Sequence, residues 1–306
     1  MKKTIAISTV VLGVAAAAVI LSSQTSVFDD LLGQSDHKAQ VSENSSNPAA
    51  PEKSDSTNTA NSTAGKGNDT AAQTDTKEVT AASATMSSSQ AAFQNYLHEN
   101  SPALTVMKNA EGKDIVTNEN SNLVLVNKKR ELDSTYIPKD LVVAKVTFSF
   151  SGTSPKQQLR AIAAEALEKL FAGAKKDGIE LAAVSGYRSY VSQKSIFDNY
   201  ARENGEEEAN TFSAHPGQSE HQTGLAMDVS SASVHYDLDE SFGESKEGKW
   251  LAEHAADYGF IIRYQKGKEN LTGYTYEPWH IRYVGVAVAQ QIKKDNETLE
   301  QFLAKY

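Results

Sequence analysis

Two short stretches concentrate the residues able to do chemistry. Ser219-Glu220-His221-Gln222-Thr223-Gly224-Leu225-Ala226-Met227-Asp228 and Glu277-Pro278-Trp279-His280 together supply two imidazoles and two carboxylates in His221, Asp228, Glu277 and His280. A catalytic zinc takes three protein ligands and leaves a fourth position for the water it acidifies. The chain has no cysteine, so a zinc site here must be built from nitrogen and oxygen. His221, Asp228 and His280 are the candidate ligands of one Zn²⁺ per chain, and the metal would bring its water to a pKa near ~7. Glu277 would stay outside the coordination sphere, take the water's proton and pass it to a leaving amine. Arg188 lies where a strand gives way to a helix, and its guanidinium suits a developing oxyanion or a substrate carboxylate.

The spacing places demands on the backbone. His221 and Asp228 are an odd number of residues apart, so on one straight strand their side chains would face opposite ways. A shared metal therefore requires a bend near Thr223-Gly224, with His221 on a loop and Asp228 on the strand that follows. Glu277 and His280 are three apart, but Pro278 forbids the helix that would align them, so an irregularity is required at Pro278-Trp279.

Other readings of single residues are weighed against these. An isolated histidine is more often structural than a ligand, and His215, His235 and His254 have no comparable context, which reads as surface or supporting positions. Tyr187, Trp250 and Trp279 read first as packing residues, although Trp279 is flanked by both proposed catalytic groups. Asp237, Asp239 and Glu240 form an acidic loop without the EF-hand pattern. HExxH, GxSxG, P-loop and GxGxxG motifs are all absent, which removes the usual support for serine hydrolase and nucleotide chemistry. A net charge of −9 with no clustered basic face argues against a nucleic-acid partner.

The elements that must position these groups lie in the later part of the 306 residues. Leu123 to Asn127 and Leu141 to Phe150 read as extended segments. A core helix is expected from an N-cap at Ser154, with Pro155 in its first turn, to Gly178. Ile179 to Val184 is a short strand, and a second helix runs from Tyr190 to Gly205 with Val191, Ile196, Phe197 and Tyr200 inward. Leu225 to Val229, Phe260 to Tyr264 and Tyr274 to Tyr283 read as strands, with a helix from Trp250 to Tyr258 and two more closing the chain. Strands and helices alternate without βαβ regularity, which predicts an α+β fold: one domain with a small antiparallel or mixed sheet flanked by helices.

Before this domain, Met1-Lys2-Lys3 precedes an uncharged apolar run from Thr4 to Leu21, the pattern of an export signal that is either cleaved or kept as an anchor. Residues 31–90 are rich in Ser, Thr, Asn and Ala and poor in large apolar residues, which reads as a disordered spacer. The organisation expected is a signal or anchor over 1–30, the spacer, a lead-in over 91–117 and the working domain over 118–306, monomeric and outside the cytoplasm.

These stretches resemble a known family. Ser219 to Asp228 is similar to the SxHxxGxAxD signature of the VanY-type D-alanyl-D-alanine carboxypeptidases and the related L,D-carboxypeptidases, zinc peptidases of family M15B. Glu277-Pro278-Trp279-His280-Ile281-Arg282-Tyr283 resembles their ExWHxRY element, and Ser185-Gly186-Tyr187-Arg188-Ser189 with Gln193 their SGYRS segment. The likeness covers residues from about Asn118 to the C-terminus. It implies removal of the terminal D-alanine from peptidoglycan stem peptides, with His221, Asp228 and His280 as metal ligands and Glu277 as base. It further implies Arg188, Gln193 and Ser219 as substrate contacts, with Tyr187 and Trp279 beside them. The D,D reaction leads this reading; an L,D reaction on a trimmed stem, a non-catalytic wall-binding module and a cross-link endopeptidase are the alternatives.

Overall fold

A computed structural model describes residues 87–306. The expected export signal and residues 31–86 of the expected spacer lie outside the described residues, while Ser88 to Gln90, at the spacer's expected end, are helical. Among the described residues no helix is long and apolar enough to cross a membrane. Among the described residues the strands are β1 (Val106–Lys108), β2 (Asp114–Val116), β3 (Arg130–Glu131), β4 (Leu141–Val143), β5 (Gln158–Arg160), β6 (Ala182–Ser185), β7 (Ala226–Ser230), β8 (Phe260–Tyr264) and β9 (Glu277–Tyr283). The helices are α1 (Ser88–Glu99), α2 (Ala161–Lys176), α3 (Tyr190–Asn204), α4 (Glu206–Phe212), α5 (Ser241–Glu244), α6 (Lys246–His254), α7 (Glu269–Thr272), α8 (Val286–Asp295) and α9 (Leu299–Leu303). This is an α+β architecture.

The central sheet has the order β6-β7-β9-β8 and is antiparallel throughout. α2 covers it because Ala163, Ala164, Leu167, Leu170 and Ala174 recur at helical spacing and are all buried, while Lys175 and Lys176 complement the dipole at the helix end. These side chains meet Leu225, Met227, Val229, Phe260 and Ile281 of the sheet region in the main core. A second core joins Leu97 of α1 and Leu123 and Leu125 to Val288, Ile292, Leu299 and Phe302 of the last two helices. The lead-in over 91–117 carries most of α1, where Ala91 to His98 reads as a short helix, and β2, where Asp114 to Asn118 reads as β-rich; with β1 it buries Leu97 and Val116.

Several local expectations are revised. Ser154 caps a single 3-10 turn, Pro155–Gln157, closed by a capping box with Gln157, and not the long helix. The chain then extends as β5 to pair with β4, and α2 begins only at Ala161. α3 starts under the expected Ser189 cap and stops at Gly205, whose φ of 88° suits glycine alone. Its inner face is Gln193 and Phe197; Val191 is 71% exposed and Tyr200 40%. Leu123 to Asn127 is buried but forms no strand beyond one bridge, Asn127 to Arg130.

Candidate active site

The register of β7 and β9 makes Asp228 and His280 Cα partners, so the two side chains emerge side by side on one face. His221 arrives from the adjoining 3-10 turn Glu220–Thr223. The chain reverses at Gly224, in the left-handed region at φ 67°, where a Cβ would lie 3.0 Å from side-chain carbons of Arg160 and Leu141. The bend required by the odd spacing is therefore present at the residue that permits it.

The irregularity at Pro278 is also present, in the register of the neighbouring strand. Ile262 pairs with Ile281 and Tyr264 with Glu277, so Arg263 alone faces Pro278, Trp279 and His280. Such a bulge tolerates proline, because its missing N–H is not needed there. It also turns Glu277 and His280 toward each other, with Glu277 Oε2 3.9 Å from His280 Nδ1.

His221, Asp228 and His280 present donor atoms that all lie within 4.8 Å of one another, and all three residues are buried. Asp228 Oδ2 is 3.4 Å from His221 Nε2, and Asp228 Oδ1 is 3.0 Å from His280 Nδ1. The two rings meet edge to face, with centroids 4.9 Å apart. His221 Nδ1 is 2.8 Å from the carbonyl oxygen of Gly186, which accepts a hydrogen bond from Nδ1–H and leaves the Nε2 lone pair for a metal. That carbonyl can approach because position 186 is glycine: a Cβ there would lie 2.5 Å from Gln158 O and 2.9 Å from Lys156 O. Two imidazole nitrogens and one carboxylate in a buried cluster match the donor chemistry of a borderline divalent cation.

The electrostatics fit the same reading. Burial opposes ionisation of Asp228, but the charges of His221 and His280 hold its carboxyl well below the usual range. Burial depresses His221, partly offset by Asp228. Burial alone would depress His280 too, yet its hydrogen bonds to the Asp228 and Glu220 carboxylates push it up to about 9. Burial pushes Glu277 up to about 7; Asp228 and Glu220 add to the rise, while His280 and Arg188 oppose it.

Arg188 joins the site from the loop between β6 and α3, its backbone N–H donating to the carbonyl of His221 at 3.2 Å. Its Nη1 donates to Gln193 Oε1 at 2.9 Å and its Nη2 to Ser185 Oγ at 3.2 Å. Its Nε has no partner among the described residues. Gln193 is 1% exposed and also donates to the carbonyl of Ala214 at 2.7 Å. Gln193 thus braces Arg188, with both of its amide atoms engaged. The buried Tyr187 hydroxyl has no partner among the described residues, Ser219 precedes the 3-10 turn without capping it, and Trp279 packs on the main core.

Sequence reasoning missed the groups behind the ligands. Glu220 Oε1 accepts from Arg263 Nε and Arg282 Nη1, both at 2.7 Å, and all three residues are fully buried. Arg263 also forks onto Glu300 at 2.9 and 2.7 Å. The available signal was a lone arginine inside the apolar run Phe260-Ile261-Ile262-Arg263. A charge in a buried strand needs a partner.

A small α+β domain carrying a buried His-Asp-His cluster, an adjacent carboxylate with a raised pKa and a braced arginine defines a peptidase class. The chain belongs to the D-alanyl-D-alanine carboxypeptidase family called VanY, whose family model matches residues 156–286. It is 50% identical over 199 residues to the putative carboxypeptidase YodJ of Bacillus subtilis, covering 65% of this chain and 73% of that protein. It is 34% identical over 187 residues to VanXYC of Enterococcus gallinarum, a bifunctional D-Ala-D-Ala dipeptidase and D-Ala-D-Ala carboxypeptidase, covering 60% of this chain and 93% of that protein. Among solved structures, the LdcB LD-carboxypeptidase superposes with a TM-score of 0.64 at 50% identity, covering 66% of this chain and 94% of that one.

Proposed function

We propose that the protein is a zinc-dependent carboxypeptidase that trims the terminal D-alanine from peptidoglycan stem peptides, acting on the tetrapeptide in an L,D cleavage. The observation that carries the catalytic part is the convergence of His221, Asp228 and His280 with Glu277 3.9 Å from His280. The observation that favours the L,D reaction is the 50% identity to LdcB, against 34% to VanXYC. The D,D cleavage of a pentapeptide, which the signature residues lead to, is the second reading.

Zinc, when bound by His221, Asp228 and His280, supplies a Lewis acid that lowers the pKa of a water. Glu277, ionised beside that point, accepts the water's proton and delivers it to the departing D-alanine nitrogen. Its burial and raised pKa suit a group that must both take and give a proton near neutrality. Arg188 is oriented by Gln193 and Ser185, which equips its guanidinium to hold the substrate carboxylate or the developing oxyanion. A non-catalytic module would have no use for Glu277. A substrate of this class lies outside the cytoplasm, in keeping with the export pattern of Met1 to Leu21.

The test is mass spectrometry of the purified protein incubated with penta- and tetrapeptide muropeptides, with and without a chelator. Loss of one alanine from the tetrapeptide, stopped by chelation, is the expected result. Loss from the pentapeptide alone moves the assignment to the D,D reaction, and no loss from either with zinc bound overturns the enzyme reading.

A further inference from the structure

Behind the ligand cluster lies a buried charge network that the proposed reaction does not use. His280 faces the ligand cluster with Nδ1, 3.0 Å from Asp228, and turns Nε2 the other way, 3.5 Å from Glu220 Oε2. Neither His280 Nε2 nor Glu220 Oε2 has another polar partner among the described residues. A ring nitrogen binds a metal only as a lone pair, so the opposite nitrogen must carry the proton. For His280 that proton belongs on Nε2, pointing at Glu220.

Glu220 could satisfy this only if its own oxygens were fixed, and they are. Oε1 receives both Arg263 Nε and Arg282 Nη1 at 2.7 Å, which leaves Oε2 for the imidazole. Each arginine is anchored in turn. Arg282 donates to the carbonyls of Asn122 and Val124, and Arg263 forks onto Glu300 of α9. With two guanidinium N–H groups donating to Oε1 at 2.7 Å, the Glu220 carboxyl is placed as an acceptor.

We propose that Glu220 is a positioning residue that fixes His280 with its proton on Nε2 and its lone pair on Nδ1, and that Arg263 and Arg282 fix Glu220 in turn. The proposal rests on the reading of His280 as a metal ligand. Glu220→Gln keeps the shape but reverses the logic. With its oxygen toward the guanidiniums, the amide N–H₂ meets His280 Nε2 and demands a lone pair there; flipped, the N–H₂ meets two donors. Either way a donor faces a donor when Nδ1 binds metal.

The experiment is a zinc titration of the full chain against a competing chelator, with ¹⁵N NMR of the histidine rings. Glu220→Gln should weaken zinc binding roughly ten- to a hundredfold. Leu167→Ala, a core change in α2 chosen to lower the melting temperature at least as much, should leave zinc affinity within about twofold. The wild-type zinc complex should show an exchange-protected Nε2 proton on one metal-bound ring, a readout that needs no variant to fold. If the wild type binds zinc and either Glu220→Gln matches Leu167→Ala in affinity or that protected proton is missing, the proposal is overturned. If the wild type binds no zinc, the metal reading itself has failed and this one falls with it.

Discussion

Asp228 and His280 are cross-strand partners on β7 and β9, joined by a 3.0 Å contact between Oδ1 and Nδ1 in the buried centre of the sheet. Because backbone pairing sets this contact, the two groups are held before any metal arrives. The irregularity at Pro278 to His280 in β9 sets Glu277 against the same histidine.

Removing the base should separate binding from chemistry. Glu277→Gln keeps the volume and a hydrogen-bonding atom but cannot accept the water's proton. Turnover of muropeptides should fall by roughly 10²–10⁴ while zinc affinity is kept. Steady-state rates and a chelator titration on the same preparation check this; unchanged turnover would remove Glu277 from the mechanism.

Metal binding should be steeply pH-dependent. His280 is pushed up to about 9 in the metal-free protein, so below that pH it must lose a proton before it can coordinate. Affinity for zinc therefore rises with pH from 7 to 9, about tenfold per unit for one released proton, and flattens above. Glu277, pushed up to about 7, adds a second proton release only below neutrality, since a nearby cation favours its ionised form. Calorimetry in buffers of different ionisation enthalpy counts these protons; no release at pH 8 would contradict the assignment.

Glu300 ties α9 to Arg263 through a two-point ion pair, and Glu300→Gln leaves that buried guanidinium with Glu220 alone. The expected cost is about 3 kcal/mol in denaturant unfolding at neutral pH. Burial opposes the charge, but Arg263 lowers the folded pKa of Glu300 below its ordinary 4.5. A depressed carboxyl stabilises the fold above its unfolded pKa and loses that contribution as pH falls through the folded one. The gap between wild type and variant should accordingly be full above pH 4.5 and close as the solution is made more acidic.

The parts of the site legible in the sequence are those whose geometry is local. The odd spacing of His221 and Asp228 demanded a bend, and Gly224 supplies it; Pro278 demanded an irregular strand, and the β8 to β9 register contains one. What could not be read depends on distant partners. Leu123 to Val126 has the composition of a strand, yet its backbone is claimed by side chains: Arg282 takes the carbonyls of Asn122 and Val124, and Arg130 Nε that of Leu125. No local propensity reports that two guanidiniums will replace a β-ladder. Ser154 is a cap as expected, but what it caps is one turn, because Gln158 to Arg160 is drawn into pairing with Leu141 to Val143. Pattern fixes which residues are buried there; pairing partners decide the shape.

The assignment of Gln193 as a brace leads to a prediction of its own. If Gln193 contacted substrate directly, replacing it would act independently of Arg188. In the structure its Oε1 accepts from Arg188 Nη1 at 2.9 Å and its Nε2 donates to Ala214 O at 2.7 Å, so its influence on substrate passes through the guanidinium. Gln193→Leu keeps the packing and frees Arg188 to swing. Loss of orientation at the reacting centre costs roughly 10² in kcat/KM. The same substitution on an Arg188→Ala background should cost almost nothing further, because the group being oriented is gone. Kinetics on the two single variants and the double variant decide it: additive losses would return Gln193 to the substrate, and a double variant no worse than Arg188→Ala would keep it behind the arginine.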